Sequence, residues 1–335
     1  MNVRTYAQKS KGYENRMNKI LCIGMLVCDI LISTVPDDIL SRDSVGIRRP
    51  ITSCGGDALN VALGLSKLGA NVMISGRIAH DVSGAFIEQA CKSAGIDTRG
   101  LVYDETCATS TTFALIDARG ERHFLTDKEI FAKLVESDVP QTLIDQAEIV
   151  YFGSAMALPG MDDGGLERLF RRARAAGKWT VMDAAIDETR TDLDWLTALA
   201  PTLRQTDVFF PSIDEARLIT GKNTSEEIAE CMSGFGMKAF GIKLGKRGCF
   251  VTGFQRSLFV PALYWMPVVD TTGAGDSFLA GLMRGIAEGW DIFRSTEFAN
   301  TIASQNVGAY GGTAGRPPFD EALRFFENWE ENHKK

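Results

Sequence analysis

The residues with the most chemical content lie together in Asp270-Thr271-Thr272-Gly273-Ala274-Gly275-Asp276-Ser277-Phe278. Small residues at 273–275 let the backbone come close to a ligand. Their N–H groups fall where a helix begins, so the local field favours an anion. Asp276 then sits in the first turn, beside that anion. A carboxylate so placed can accept the proton of an attacking hydroxyl while the amides hold a transferring phosphoryl group and its growing charge. Helix capping alone also puts an aspartate at a helix start. What sets this segment apart is that small residues, carboxylate and helix start occur in one nonapeptide.

Such a turn needs a strand to deliver it and a helix to receive it. Residues 258–269 read as extended, and Phe278, Leu282 and Ile286 recur at four-residue spacing on the other side of the turn. Upstream, residues 20–23 (Ile-Leu-Cys-Ile) form a short continuous apolar run suited to a strand buried on both faces. Residues 56–68 follow a helical period, with Ala58, Ala62 and Leu65 on one stripe and Gly69 as a stop. Strands are expected at 149–152, 179–182, 208–210 and 239–244, and helices at 166–176 and 226–235. This alternation predicts an α/β fold with a mostly parallel sheet flanked by helices. Two stretches break the rhythm. Residues 30–53 are extended, and within 99–125 the segments 109–116 and 123–125 face each other across a turn at 117–120, as in a hairpin. Together they predict a small β appendage, serving as a lid or as a subunit interface.

The nonapeptide resembles the C-terminal signature of the ribokinase-like (PfkB) carbohydrate kinases. Gly55-Gly56-Asp57-Ala58-Leu59-Asn60-Val61-Ala62, continuing to Leu68-Gly69, is similar to that family's N-terminal sugar-binding motif. Further matches occur in the family's order: Gly24 to Asp29, Gly76 to Gly84, and Lys243-Leu244-Gly245-Lys246-Arg247-Gly248. The resemblance implies a ribokinase-like three-layer core over residues 17–330, with a small β-sheet lid from about 30–53 and 99–125 and a tail at 1–16. It implies Asp276 as catalytic base and Gly273, Ala274 and Gly275 as the anion hole. Asp29, Gly55, Gly56, Asp57 and Asn60 match positions that hold the sugar, which suits groups able to accept from and donate to a polyol. Ser212, Lys243, Gly245, Gly248 and Asn300 match the nucleotide side. Glu215 matches a glutamate that acts on Mg²⁺, often through water, and Asp270 and Thr272 match positions associated with a monovalent cation such as K⁺. Two departures stand out: Ser212 and Ala185 occupy positions where the family commonly has asparagine.

Bulk properties narrow the rest. The 335 residues suffice for one α/β core with an appendage. A net charge of −7 lacks the basic footprint of a nucleic-acid binder. Seven cysteines at scattered spacings, without C-x-x-C, read as reduced thiols in the cytoplasm. No apolar run approaches a membrane span. The segment 241–247 is one residue short of a Walker loop and ends on Arg247, and no G-x-G-x-x-G comes after the first strand. The resulting expectation is an ATP- and Mg²⁺-dependent kinase for a hydroxyl of a small sugar, dimeric through its lid. Alternatives are a nucleoside kinase of the same fold and a catalytically weak sugar-binding regulatory protein. A substrate that already carries a phosphate would call on lid cations, for which Arg77, Arg119 and Arg122 are candidates.

Overall fold

The computed structural model describes residues 19–264, 267–309, 312 and 315–333; the tail expected at 1–16 lies outside them. The chain runs through β1 (Lys19–Ile23), β2 (Val27–Ser33), β3 (Ile51–Gly55), α1 (Asp57–Lys67), β4 (Asn71–Ala79), α2 (Val82–Ser93), β5 (Asp97–Asp104), β6 (Thr111–Ile116) and β7 (Arg122–Thr126). It continues through α3 (Gln141–Gln146), β8 (Ile149–Ala155), α4 (Pro159–Asp162), α5 (Gly165–Ala175), β9 (Trp179–Ala184), α6 (Trp195–Leu203), β10 (Val208–Phe209), α7 (Ile213–Thr220) and α8 (Ser225–Ser233). It ends with β11 (Ala239–Lys243), β12 (Cys249–Thr252), β13 (Ser257–Val260), α9 (Ala274–Ala287), α10 (Ile292–Asn306) and α11 (Phe319–His333).

The apolar run of β1 is buried because both of its edges are paired, with β4 on one side and β8 on the other. The main sheet has the order β13-β12-β11-β10-β9-β8-β1-β4-β5. Every pairing from β11 to β5 is parallel, and β12 and β13 add antiparallel strands at one edge. Alternate side chains enter opposite layers. Leu21, Ile23, Val150 and Phe152 join the side packed by α3, α5, α6, α7 and α8. Ile20, Cys22, Ile149 and Tyr151 join the side packed by α1, α2, α9, α10 and α11. The three layers leave the carboxyl ends of the parallel strands free, where α/β sheets place their ligands.

A second sheet, order β3-β2-β6-β7, stands apart from the first. Its central pair β2–β6 is parallel, and the outer pairs are antiparallel. The expected hairpin is present: Asp117 N–H donates to Glu121 O at 3.0 Å where β6 turns into β7. The boundary expected at residue 99 moves. Residues 97–104 are β5, the edge strand of the main sheet, paired in parallel with β4. The crossover helix α2 carries the chain from β4 back alongside it, and residues 82–93 give no helix signal strong enough to reveal that βαβ unit from sequence. The small sheet therefore takes its hairpin from Thr111 onward, with residues 27–33 and 51–55 as the other two strands.

Asp81 fixes the junction between the two sheets. Its Oδ1 accepts from Gly84 N at 2.7 Å, capping α2, and its Oδ2 accepts from Thr109 N at 2.8 Å, just before β6. We expect Asp81→Ala to lower the unfolding free energy by about 1–3 kcal/mol with an unchanged denaturant slope. Urea titration checks this; a loss below about 0.5 kcal/mol would mean that the two bonds are replaced by water at no cost.

Candidate active site

Gly273 is the N-cap of α9 and has φ +68. A Cβ there would stand 2.2 Å from Gly312 O, so both the conformation and the space call for glycine. Ala274 N–H turns back to Thr271 O at 3.2 Å. The amides of Gly275 and Asp276 have no partner among the described residues and are the free donors of the first turn. Lys243, at the end of β11, brings its Nζ over the same turn, 3.5 Å from where a Cβ on Gly275 would lie. Of the expected anion hole, then, Gly273 shapes the turn, Ala274 closes it, and Gly275 with Asp276 presents donors.

Asp276 is joined to the upstream motif by one direct bond: Asn60 Nδ2 donates to its Oδ2 at 2.9 Å. Asp57, Asp183 and Glu215 lie close enough to act on it electrostatically or on one another. Lys243 Nζ pairs with Asp183 Oδ2 at 2.5 Å. Burial raises the pKa of Asp276, against the opposing pull of Arg316, the Asn60 bond and Lys243. Asp57 is pushed well above the usual carboxylate range, first by burial and then by the Asp276 charge. Asp183 and Glu215 are raised by burial as well, with Lys243 pulling the other way. Burial pulls Lys243 down, yet Asp183 and Glu215 outweigh it and hold the ammonium charged. Three buried polar atoms here, Asp57 Oδ2, Asn60 Oδ1 and Tyr151 Oη, have no hydrogen-bond partner among the described residues.

The expected sugar-side residues come together. The turn from β3 into α1 slides beneath β2, so that a Cβ on Gly55 would lie 2.2 Å from Asp29 Oδ2. Gly56, φ +85, faces Met25 O at 2.5 Å from its ideal Cβ. The Asp29 carboxyl thus rests directly on Gly55, and burial raises its pKa to about 6. Asp57 and Asn60 come next, in the first turn of α1.

The expected nucleotide-side residues divide. Gly245 and Asn300 line a cavity of about 320 Å³ with Tyr264, Val268, Thr271 and Val307. Asn300 is buried, and its Nδ2 donates to Pro261 O at 2.8 Å, so it holds the cavity wall. Gly248, φ +97, is packed against Val260 O and serves the turn between β11 and β12, outside that cavity. Ser212 caps α7: its Oγ accepts from Glu215 N at 3.3 Å while Glu215 Oε2 accepts from Ser212 N at 2.6 Å. The serine therefore has a local task, and it also orients Glu215. Asp270 and Thr272 meet a cation from the protein itself. Arg122 pairs with Asp270 Oδ2 at 2.8 Å and donates to Thr272 Oγ1. Arg77 and Arg119 are engaged elsewhere, Arg77 by Asp104 and Asp138 and Arg119 by Asp117.

Arg316 is a site residue that sequence reasoning misses. It is 2% exposed, yet its guanidinium touches both motifs: Nε donates to Ser277 Oγ at 2.6 Å, Nη1 to Asn60 O, and Nη2 to Gly312 O at 2.8 Å. Gly64, in the middle of α1, makes the room, since a Cβ there would lie 2.4 Å from Nη1. Burial lowers the Arg316 pKa to about 10, against the pull of Asp276. Tyr151 reads from sequence only as part of a strand. A helical glycine and a lone arginine near a glycine-rich turn are weak signals, and nothing local ties them together.

Comparison with known proteins places these features in a family. The model for the pfkB family of carbohydrate kinases matches residues 17–318. Fructokinase-2 of Oryza sativa subsp. japonica is 27% identical over 288 residues, covering 80% of this chain and 81% of that protein. A ribokinase of Arabidopsis thaliana, solved with ribose and ATP, superposes with a TM-score of 0.80 at 20% identity, covering 93% of this chain and 99% of that one. A putative ribokinase II from E. coli in complex with ATP and Mg²⁺ gives 0.81 at 22% identity, with the same coverage.

The raised pKa of Asp276 carries a stability consequence. The native state holds this proton to higher pH than the unfolded chain does, so its contribution is fully present below the ordinary carboxylate range and is lost as pH rises through the native value. Asp276→Asn removes the buried charge and keeps an acceptor for Asn60. We expect the variant to melt above the wild type at pH 8 and to differ little from it at pH 4. An equal difference at both values, measured by calorimetry, would show that the buried charge is not the cause.

Proposed function

The chain belongs to the pfkB family of carbohydrate kinases, and from that premise we propose that it transfers the γ-phosphoryl group of ATP to a hydroxyl of a small sugar or sugar derivative, with Asp276 as base. The supporting observation is the 2.9 Å bond between Asn60 and Asp276, which brings the upstream motif and the carboxylate at the anion hole into one site. A sugar on Asp29, Asp57 and Asn60 would have a hydroxyl next to Asp276. The Asp276 carboxylate takes the hydroxyl proton as the oxygen attacks the γ-phosphorus, and the bond to the ADP oxygen breaks. The Gly275 and Asp276 amides, with the Lys243 ammonium, face the charge that develops on the transferring group.

The cavity between Gly245 and Asn300, with Tyr264, Val268 and Val307 in its walls, has the apolar lining that suits a purine. Glu215 is an oxygen donor of the kind Mg²⁺ takes, and among the described residues no three His, Cys, Asp or Glu side chains form a ready cage. Such a donor set suits a cation that keeps most of its waters and shares phosphate oxygens. When bound, Mg²⁺ would neutralise phosphate charge; Glu215, whose carboxylate accepts from Ser212 N, would be the residue that holds it. At Asp270 and Thr272 the charge expected of K⁺ is supplied here by Arg122. The polar set Asp29, Asp57 and Asn60 favours a polyol over a nucleoside base. ATP as co-substrate and seven free thiols accord with a cytoplasmic setting, and no helix among the described residues is long and apolar enough to cross a membrane.

A second copy of the chain would cover the outer face of the small sheet. Phe113 and Leu125 are register partners there, 42% and 60% exposed, beside Val82 at 88%. Exposed apolar strand surface of this kind is normally covered.

Two experiments test these points. ADP release from Mg·ATP, measured across hexoses, pentoses, polyols, sugar acids, sugar phosphates and nucleosides, should reveal one accepted class, and Asp276→Asn should lower that turnover by about 10²–10⁴-fold. Turnover that survives Asp276→Asn would remove the aspartate from its role. Sedimentation should give a dimer for the wild type and a monomer for Leu125→Glu; a wild-type monomer at micromolar concentration would discard the interface.

A further inference from the structure

The small sheet presents two faces. Asp29 lies opposite Thr112 in the β2–β6 ladder, and Thr112 lies opposite Thr126 in the β6–β7 ladder, their hydroxyls 3.0 Å apart. Side chains directly opposite share a face, and alternate residues along a strand do so as well. Arg122 therefore belongs to the face that carries Asp29, the one turned toward the sugar-side residues. From the far end of β7 its guanidinium crosses to the core and seats on Asp270 Oδ2 and Thr272 Oγ1. Thr272 immediately precedes Gly273. Among the ion pairs of the described residues, this one ties a strand of the small sheet to the segment that carries Asp276.

The seat is built to hold. The Asp270 side chain is 4% exposed and that of Arg122 is 24%. The second Asp270 oxygen accepts from Thr272 N at 2.9 Å, and Asp270 N–H donates to Val307 O at 3.1 Å. Thr272 O in turn accepts from Asn306 Nδ2 at 3.0 Å. The guanidinium thus lands on a turn whose backbone is already fixed from the α10 side and adds a tether from the opposite side of the cleft. A pair this sheltered is screened less than a surface ion pair.

Resting on the kinase proposal above, we propose that Arg122 is a positioning residue that couples closure of the small sheet to the phosphate hole. With the guanidinium on Asp270 and Thr272, the sheet is held over the sugar-side residues and the 270–273 turn is held in the form that presents the Gly275 and Asp276 amides. With the seat empty, the sheet opens, and the turn loses its tether on that side. The arginine acts through this turn and makes no bond to the reacting atoms, so its effect falls on how fast bound substrates react and on how well water is excluded while they do.

The test uses Arg122→Gln, Asp270→Asn, the double variant and Arg122→Lys in the full chain. Hydrogen exchange needs no substrate. Protection of amides in 111–126 and 270–276 should fall about tenfold or more in either single variant, with the strands of the main sheet unchanged. The double variant should be no worse than the singles, because both remove one interaction. With an accepted sugar, Arg122→Gln should lower kcat by about 10–10²-fold while KM for ATP stays within about twofold, and the ratio of ATP hydrolysed to sugar phosphate formed should rise. Arg122→Lys keeps the charge without the fork and should recover part of both signals. Additive losses, unchanged exchange, or a kcat within about twofold of the wild type would overturn the coupling. Absence of sugar-dependent ADP release in the wild type would instead count against the kinase proposal, and the exchange result would still decide whether the tether exists.

Discussion

Everything at the mouth of the sheet answers to one electrostatic constraint: Asp57, Asp183, Glu215 and Asp276 are brought near one another in a place that water reaches poorly. Like charges in a poorly solvated site raise one another's pKa values, and the cost can be met by protonation, by cations or by a ligand. Lys243 and Arg316 supply two cations, and Asn60 supplies a neutral donor. That leaves an excess of negative charge and unpartnered polar atoms on Asp57, Asn60 and Tyr151. A site with this surplus is incomplete by itself. A hydroxyl-rich ligand and a divalent cation are the kinds of company that would relieve it.

The backbone serves the same end. The parallel strands converge their carboxyl ends, so that Asp183 at the end of β9, Lys243 at the end of β11 and the turn after β1 face one space. Two helix starts are then aimed into that space from different parts of the chain, α1 with Asp57 and Asn60, and α9 with Asp276. Gly55, Gly56 and Gly273 are where backbone or carboxylate passes too near for any side chain. The small sheet branches from the chain directly after β1 and reaches the segment that carries Asp276 through Arg122 on Asp270.

Much of this is legible in the residues alone, and the limits have physical causes. The strands with unbroken apolar runs are legible because burial on both faces leaves no polar positions. The turn at 270–278 is legible because its chemistry is contiguous. By contrast, the residues of β5 read as part of the appendage because α2 gives so little sign of itself, and without the crossover helix a strand has no reason to return to the main sheet. Gly248 reads with the nucleotide residues because the resemblance places it there with Gly245, whereas its positive-φ backbone packs it against the end of β13. The partner of Asp270 cannot be foreseen, since Arg122 lies far away in the sequence and the pairing exists only when two sheets meet. Arg316 is invisible for a related reason: most of its contacts are to backbone oxygens, and these leave no trace in residue type.

The passage of the Arg316 guanidinium through the gap at Gly64 has a meaning for how such chains diverge. The two positions are compatible only as a pair. A side chain at 64 would evict the arginine, and a smaller residue at 316 would leave an unfilled hole against α1 and strand the carbonyls it serves. Neither change is neutral alone, so the route between this arrangement and one without the arginine runs through a damaged intermediate or through a simultaneous exchange. A substitution history written at these two sites should therefore move in step, and a grafted arginine will settle only in a host that already carries glycine at the matching turn of its first long helix.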